Sequence, residues 1–108
     1  MTSKIKFVYN ERPYVLEFTR DSVKKMEKKG FDAAEVIKKP MSLLPELFAG
    51  AFIAHHPFVR EKIINEIYTA FDDKGELLNA LCEMYSLVIE DFVAELEKSN
   101  NGLKWERE

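Results

Sequence analysis

Met41-Ser-Leu-Leu-Pro-Glu-Leu-Phe-Ala-Gly-Ala-Phe-Ile-Ala-His-His-Pro-Phe-Val59 carries a single charge, Glu46. Leu44, Leu47, Phe48, Ala51, Phe52 and His55 recur at helical spacing, while Leu43, Ala49, Ile53 and Ala54 fill much of the remaining circumference. A helix that is apolar on nearly every side has to be covered on nearly every side, so the stretch predicts a central helix over 43–55 around which the other elements pack. Its apolar run before His55 and His56 is too short to span a bilayer, which takes about 20 residues. Ser42 reads as its cap, Pro45 falls in its first turn, and Ala49-Gly50-Ala51 forms a smooth patch that predicts close approach by another helix or by a hairpin. His55-His56-Pro57 closes this helix and opens the next, with Pro57 at the first position.

Upstream, Ile5, Phe7 and Tyr9 alternate with Lys4, Lys6 and Val8, and the alternation resumes after Asn10-Glu11-Arg12-Pro13 with Tyr14, Leu16 and Phe18. That period of two predicts a hairpin over 4–18 with turn chemistry from Asn10 and Pro13. A two-stranded ribbon is marginal alone, so its apolar face must cover helices or a partner. Thr19 reads as the N-cap of a short helix over 20–29 that turns Val23 and Met26 inward and ends at Gly30. Asp32, with Glu35 three residues on and Phe31 and Val36 placed as a hydrophobic staple, predicts a helix over 33–38 that Pro40 stops.

Downstream, Ile63, Ile64, Ile67, Tyr68 and Phe71 form the buried side of an amphipathic helix over 58–71. Asp72-Asp73-Lys74-Gly75 reads as a turn, and the longest helix follows over 76–98. One of its stripes is Leu78, Leu81, Tyr85, Val88, Phe92 and Leu96; a second, Leu77, Met84, Ile89 and Val93, widens the apolar surface beyond what one neighbour covers. That surplus, with Trp105 in the segment beyond, is the candidate partner-binding surface. Ser99-Asn100-Asn101-Gly102 ends the helix and predicts a flexible tail over 99–108. The expected fold is α+β and mostly α: one domain over 1–98 with an N-terminal hairpin followed by about five helices.

Composition narrows the function classes. At 108 residues and 46% hydrophobic content the chain suffices for one core. Charges of both signs, netting -3, argue against a binder of nucleic acid that works by neutralising phosphates. Cys82 is the sole cysteine, which forbids an intramolecular disulfide, and Met1-Thr-Ser-Lys-Ile-Lys6 lacks the apolar run of a secretory signal; together they predict a cytoplasmic protein.

No residue set for chemistry stands out. His55 and His56 diverge by about 100° on a helix and lack further His or Cys ligands, so they read as a helix junction and not a metal site. Asp72, Asp73 and Glu76 lack the alternating oxygen ligands of a calcium loop. Cys82 has no basic neighbour in sequence and reads as a small core residue. With no phosphate loop, Ser-His-Asp set or paired acids, the chain reads as non-enzymatic and without a cofactor. Lys24, Lys25, Lys28, Lys29, Lys38 and Lys39 gather positive charge on the first two helices, either as a solvated face or as a patch for an acidic partner.

Several strings resemble a known family: Tyr14-Val15-Leu16-Glu17-Phe18-Thr19-Arg20, Val23-Lys24-Lys25-Met26-Glu27, Gly30-Phe31, and Phe48-Ala49-Gly50-Ala51-Phe52 leading to His56-Pro57. In these, and in the order of its parts up to about Phe92, the chain resembles small phage and prophage proteins encoded among tail genes. Those are similar in size and layout to tail assembly chaperones of long-tailed phages, which bind the tape-measure protein while the tail tube polymerises around it. The resemblance implies a protein partner, a tape-measure or tail-tube protein, in the cytoplasm of a bacterial host, and carries no catalytic residue across. An apolar face that accepts helices without demanding one sequence suits that role, and Met26, Met41 and Met84 would add adaptable contacts. A second copy of the chain is a further candidate partner. The alternative is a small regulatory or adaptor module whose lysine-rich helices bind an acidic partner.

Overall fold

A computed structural model describes residues 4–98 and Arg107. Strands β1 (Ile5–Tyr9) and β2 (Arg12–Leu16) are followed by helices α1 (Arg20–Lys28), α2 (Pro40–Gly50), α3 (Glu61–Ala70) and α4 (Lys74–Lys98), with a short 3₁₀ turn over Ala33–Glu35. The α+β, mostly helical architecture is as expected, but four α-helices stand among the described residues where the sequence suggests about five.

The hairpin is antiparallel and runs from Ile5 opposite Leu16 to Tyr9 opposite Arg12. Its loop is Asn10-Glu11 alone, with φ of 49° and 66°. Positive φ at both central positions is what a two-residue hairpin turn needs to match the strand twist. Pro13 is therefore not in the turn; it sits in β2 opposite Val8, on a two-stranded ribbon where every strand is an edge and a missing N–H is tolerated.

Thr19 caps α1 through a reciprocal pair: the Ser22 amide donates to Thr19 Oγ1 at 3.1 Å and the Thr19 amide donates to Ser22 Oγ at 2.8 Å. The helix ends with Gly30 at φ 92°, the Phe31 amide donating to the Met26 carbonyl and the Gly30 amide to that of Glu27. This pairing satisfies two carbonyls that the helix end would otherwise leave open. The expected helix over 33–38 shortens to the single turn. Asp32 Oδ1 accepts the Ala34 amide at 2.9 Å, and the chain goes on as a turn, the Lys38 and Lys39 amides donating to the Glu35 carbonyl, up to Pro40, where α2 begins.

Helix α2 starts three residues before the expected 43, with Pro40 at its first position, so Ser42 lies inside it and does not cap it. It also stops at Gly50, short of the expected 55. In a continuing helix the Ala51 carbonyl would accept the His55 amide; here it accepts the Glu17 amide at 3.1 Å. Residues beyond Gly50 proceed as linked turns, with the Phe52 amide on Ala49 and the His56 amide on Phe52. The next helix, expected over 58–71, begins only at Glu61, because Arg60 is extended (φ -70°, ψ 147°) and Pro57 and Phe58 lie in the connection. Helix α4 begins two residues before the expected 76, where Asp73 Oδ1 accepts the Glu76 amide at 2.9 Å.

Five aromatic rings close a circuit through the core. Phe7 stacks on Tyr14 at 5.3 Å, Tyr14 meets Phe52 at 6.0 Å, Phe52 meets Phe48 at 5.2 Å, Phe48 meets Phe71 at 5.6 Å, and Phe71 returns to Phe7 at 5.4 Å. Each pair is worth about 0.5–1.5 kcal/mol beyond its burial. The circuit ties both strands to α2, its turn extension and the end of α3. A second set, Phe18 and Phe31 against Tyr85 at 5.2 and 5.8 Å, fastens the two ends of α1 to α4. Phe48, Phe52, Leu47 and Ala51 are essentially inaccessible, so the Met41–Val59 stretch is the hub of the core. At Gly50 the close approach is by Met26 of α1: a Cβ there would stand 2.4 Å from its Sδ and Cε.

Candidate helix-docking face on the last helix

Helix α4 has two halves with different surroundings. Leu77, Leu81, Met84 and Tyr85 are buried in the first, whereas every residue from Ile89 to Glu97 is exposed. The reason is length. At about 1.5 Å per residue α4 runs roughly 37 Å, and α1, the helix that accompanies its far half, supplies about 14 Å. Ile89, Phe92, Val93 and Leu96, spaced i, i+3, i+4 and i+7, are left at 38, 44, 44 and 59% exposure. That spacing makes one continuous apolar stripe.

Beside the stripe, Arg20, Val23, Lys24 and Glu27 of α1 face Val88, Ile89 and Phe92 of α4 across a groove of about 440 Å³. Arg20 anchors its rim: its guanidinium lies over the Phe92 ring at 5.4 Å and pairs with Glu95 at 2.7 Å. Arg20 donates a hydrogen bond to the Glu95 carboxylate, which, with its positive charge, holds that acid below the ordinary carboxylate range. Both groups are solvated, so the pair orders the groove edge more than it stabilises the fold.

The candidate partner residues therefore separate. Leu77 and Met84, at 4 and 2% exposure, lie in the core and have no surface to offer a partner. Helical rotation sets them about 120–140° round the helix from Ile89, away from the open side. Ile89 and Val93 lie on the open stripe, and Trp105 lies outside the described residues. Phe92 and Leu96, which the periodicity assigns to the core stripe, are open as well. The signal that finds them is a comparison of helix lengths. Of the three methionines suggested as adaptable contacts, Met26 and Met84 are core and Met41 is 93% exposed, away from this face.

The remaining chemistry-bearing residues make contacts within the fold or lie exposed. His56 Nε2 accepts the Val15 amide at 3.0 Å, and His55 Nε2 meets Glu17 Oε1 at 2.6 Å, so the histidines pin β2 and the residue just after it to the end of the central stretch. Burial, with a smaller push from neighbouring His55, lowers the pKa of His56, which favours the neutral ring that accepts this bond. Burial raises the Cys82 thiol pKa, which disfavours the nucleophilic thiolate. Among the described residues no group of three or more His, Cys, Asp or Glu is placed to hold a metal ion, and no helix is long and apolar enough to cross a membrane. The lysines of α1 and the following turns are exposed; Lys25 pairs with Asp21 at 3.2 Å and Lys38 approaches Glu35 at 3.9 Å.

Against this geometry, a family model described as a domain of unknown function, DUF5055, matches residues 1–108. The chain belongs to this family. No curated protein and no solved structure matches it. For this DUF5055 chain, the stripe of α4 and its groove with α1 form an exposed apolar surface on the described residues.

Proposed function

We propose that this DUF5055 protein is a non-enzymatic assembly factor that holds an apolar helical segment of a client protein in the α1–α4 groove, as a tail assembly chaperone does for a phage tape-measure protein. The observation that carries the reading is the Ile89, Phe92, Val93 and Leu96 stripe, four large apolar side chains on one side of α4 left open to solvent. Contiguous exposed apolar surface rimmed by charge is the usual mark of a protein-binding site, and a groove between two helices suits an amphipathic client helix. The sequence resemblance to prophage tail-region proteins supplies the identity of the client.

The test is co-expression with helical tape-measure segments and recovery of a complex. Binding through the stripe is expected to survive moderate salt and to be lost in the Ile89→Glu/Val93→Glu variant. A complex that dissolves steeply as salt rises and ignores that variant would instead place the contact on the lysine-rich helices, as an adaptor for an acidic partner.

A further inference from the structure

We propose that, without a client, a second copy of this chain covers the α4 stripe, the two α4 helices packing parallel and in register about a two-fold axis. The argument lies in the charges along the two edges of the stripe. Glu90 and Glu97 stand about 80–100° round the helix from Ile89 on one side. The other side is the groove edge, where Arg20 is already engaged by Glu95, and Lys24 has no ion-pair partner among the described residues. Glu27, on the same edge, is the acid there that no ion pair among the described residues engages. The stripe thus has an acidic edge and an edge presenting the unengaged Lys24.

Symmetry then selects the orientation. In an isologous dimer the same patch serves both copies. A two-fold axis perpendicular to the helices makes them antiparallel and sets acidic edge against acidic edge. An axis along the helices makes them parallel and sets the acidic edge of each copy against the Lys24 edge of the other. Only the parallel arrangement is complementary. It also brings Ile89 and Leu96, seven residues apart, against their own counterparts, the spacing that two-stranded coiled coils use at their seam. Such a dimer shields the stripe until a client helix displaces the second copy. The pairing is a property of the chain alone, so its test is separate from that of client binding.

The measurement is sedimentation equilibrium of the full chain without any client. A concentration-dependent dimer is expected, and the Ile89→Glu/Val93→Glu variant is expected to be monomeric with an unchanged helical circular dichroism spectrum. Oxidising a Leu96→Cys variant is expected to cross-link it to itself, whereas the parent, whose cysteine is Cys82, stays uncross-linked. Glu90→Lys is expected to weaken the dimer about 2–5-fold, and Lys24→Glu in the same chain to restore it. A chain that remains monomeric at concentrations on the order of 100 µM overturns the proposal. So does cross-linking of Ile89→Cys with Leu96→Cys but not of Leu96→Cys with itself, which would mean antiparallel packing. Dimerisation only after removal of residues 99–108 would also overturn it, because the chain's own end would then be the occupant.

Discussion

The Val15 backbone amide donates to His56 Nε2 at 3.0 Å, a hydrogen bond between residues 41 apart in sequence that fixes strand β2 to the end of the central apolar stretch. The bond requires the neutral ring, because a protonated imidazole has no lone pair to accept with. Burial lowers the pKa of His56 below the ordinary histidine value of 6.5, so protons bind the unfolded chain more readily than the folded one at this site. Stability at this site is therefore complete above that value and is lost as pH falls through it toward the folded pKa. Urea unfolding at pH 8 and pH 5.5 is expected to show a lower midpoint at the acid end. His56→Ala is expected to cost roughly 1–3 kcal/mol at pH 8 by stranding the Val15 amide, and to flatten this part of the pH dependence.

Glu11 occupies the left-handed region at φ 66°, in the second position of a two-residue turn that favours glycine. Replacing Glu11 with Gly is expected to stabilise the protein by about 0.5–1 kcal/mol, since the strain removed exceeds the entropy added to the unfolded chain. Thermal unfolding reads this as a rise of several degrees, on the scale of about 4–8 °C per kcal/mol for a domain near this size. A fall in midpoint would contradict the assigned turn.

Gly50 opposes Met26. The gain of about 1 kcal/mol in helix propensity from Gly50→Ala is set against moving the Met26 Sδ and Cε, which stand 2.4 Å from the new Cβ. Met26 lines a groove together with Gly50 and its side chain is flexible, so Gly50→Ala is expected to stay within about 1 kcal/mol of the parent. Gly50→Ile, which adds bulk beyond that tip, is expected to destabilise by roughly 1–3 kcal/mol. Truncating Met26 to Ala in the Gly50→Ile background should then cost less than it does in the parent, a coupling that chemical denaturation of the four proteins measures.

Met84 and Ile89 belong to one apolar surplus in the sequence, yet they part company in the fold, at 2 and 38% exposure. Met84→Glu is expected to unfold the protein or destabilise it by more than about 3 kcal/mol, because it buries a charge without a partner. Ile89→Glu should leave the unfolding midpoint within about 0.5 kcal/mol of the parent when measured on monomeric protein at low concentration.

Local pattern alone determined the hairpin, the cap at Thr19, the stop at Gly30, the central character of Met41–Val59 and the great length of the last helix. Each rests on chemistry read within a few residues: a period of two, a side chain that caps, a glycine at positive φ, an apolar run with one charge. What tertiary structure decided are matters of competition between distant groups. After Gly50 the amides of Phe52 and Ile53 turn to carbonyls three residues back, and the Glu17 amide, on another element, takes the Ala51 carbonyl that a continuing helix would use. Pro13 stays in a strand because its nitrogen faces away from β1, on the side of β2 where no further strand pairs among the described residues. The two histidines became anchors for β2 and the residue just after it because the chain returns to them after folding. The same holds for the candidate site. Periodicity finds every apolar position on α4, but it cannot divide them, since an apolar side chain is covered only where another element reaches it. That division was made by α1, which is too short to cover the helix it accompanies, and so left Ile89, Phe92, Val93 and Leu96 open to solvent.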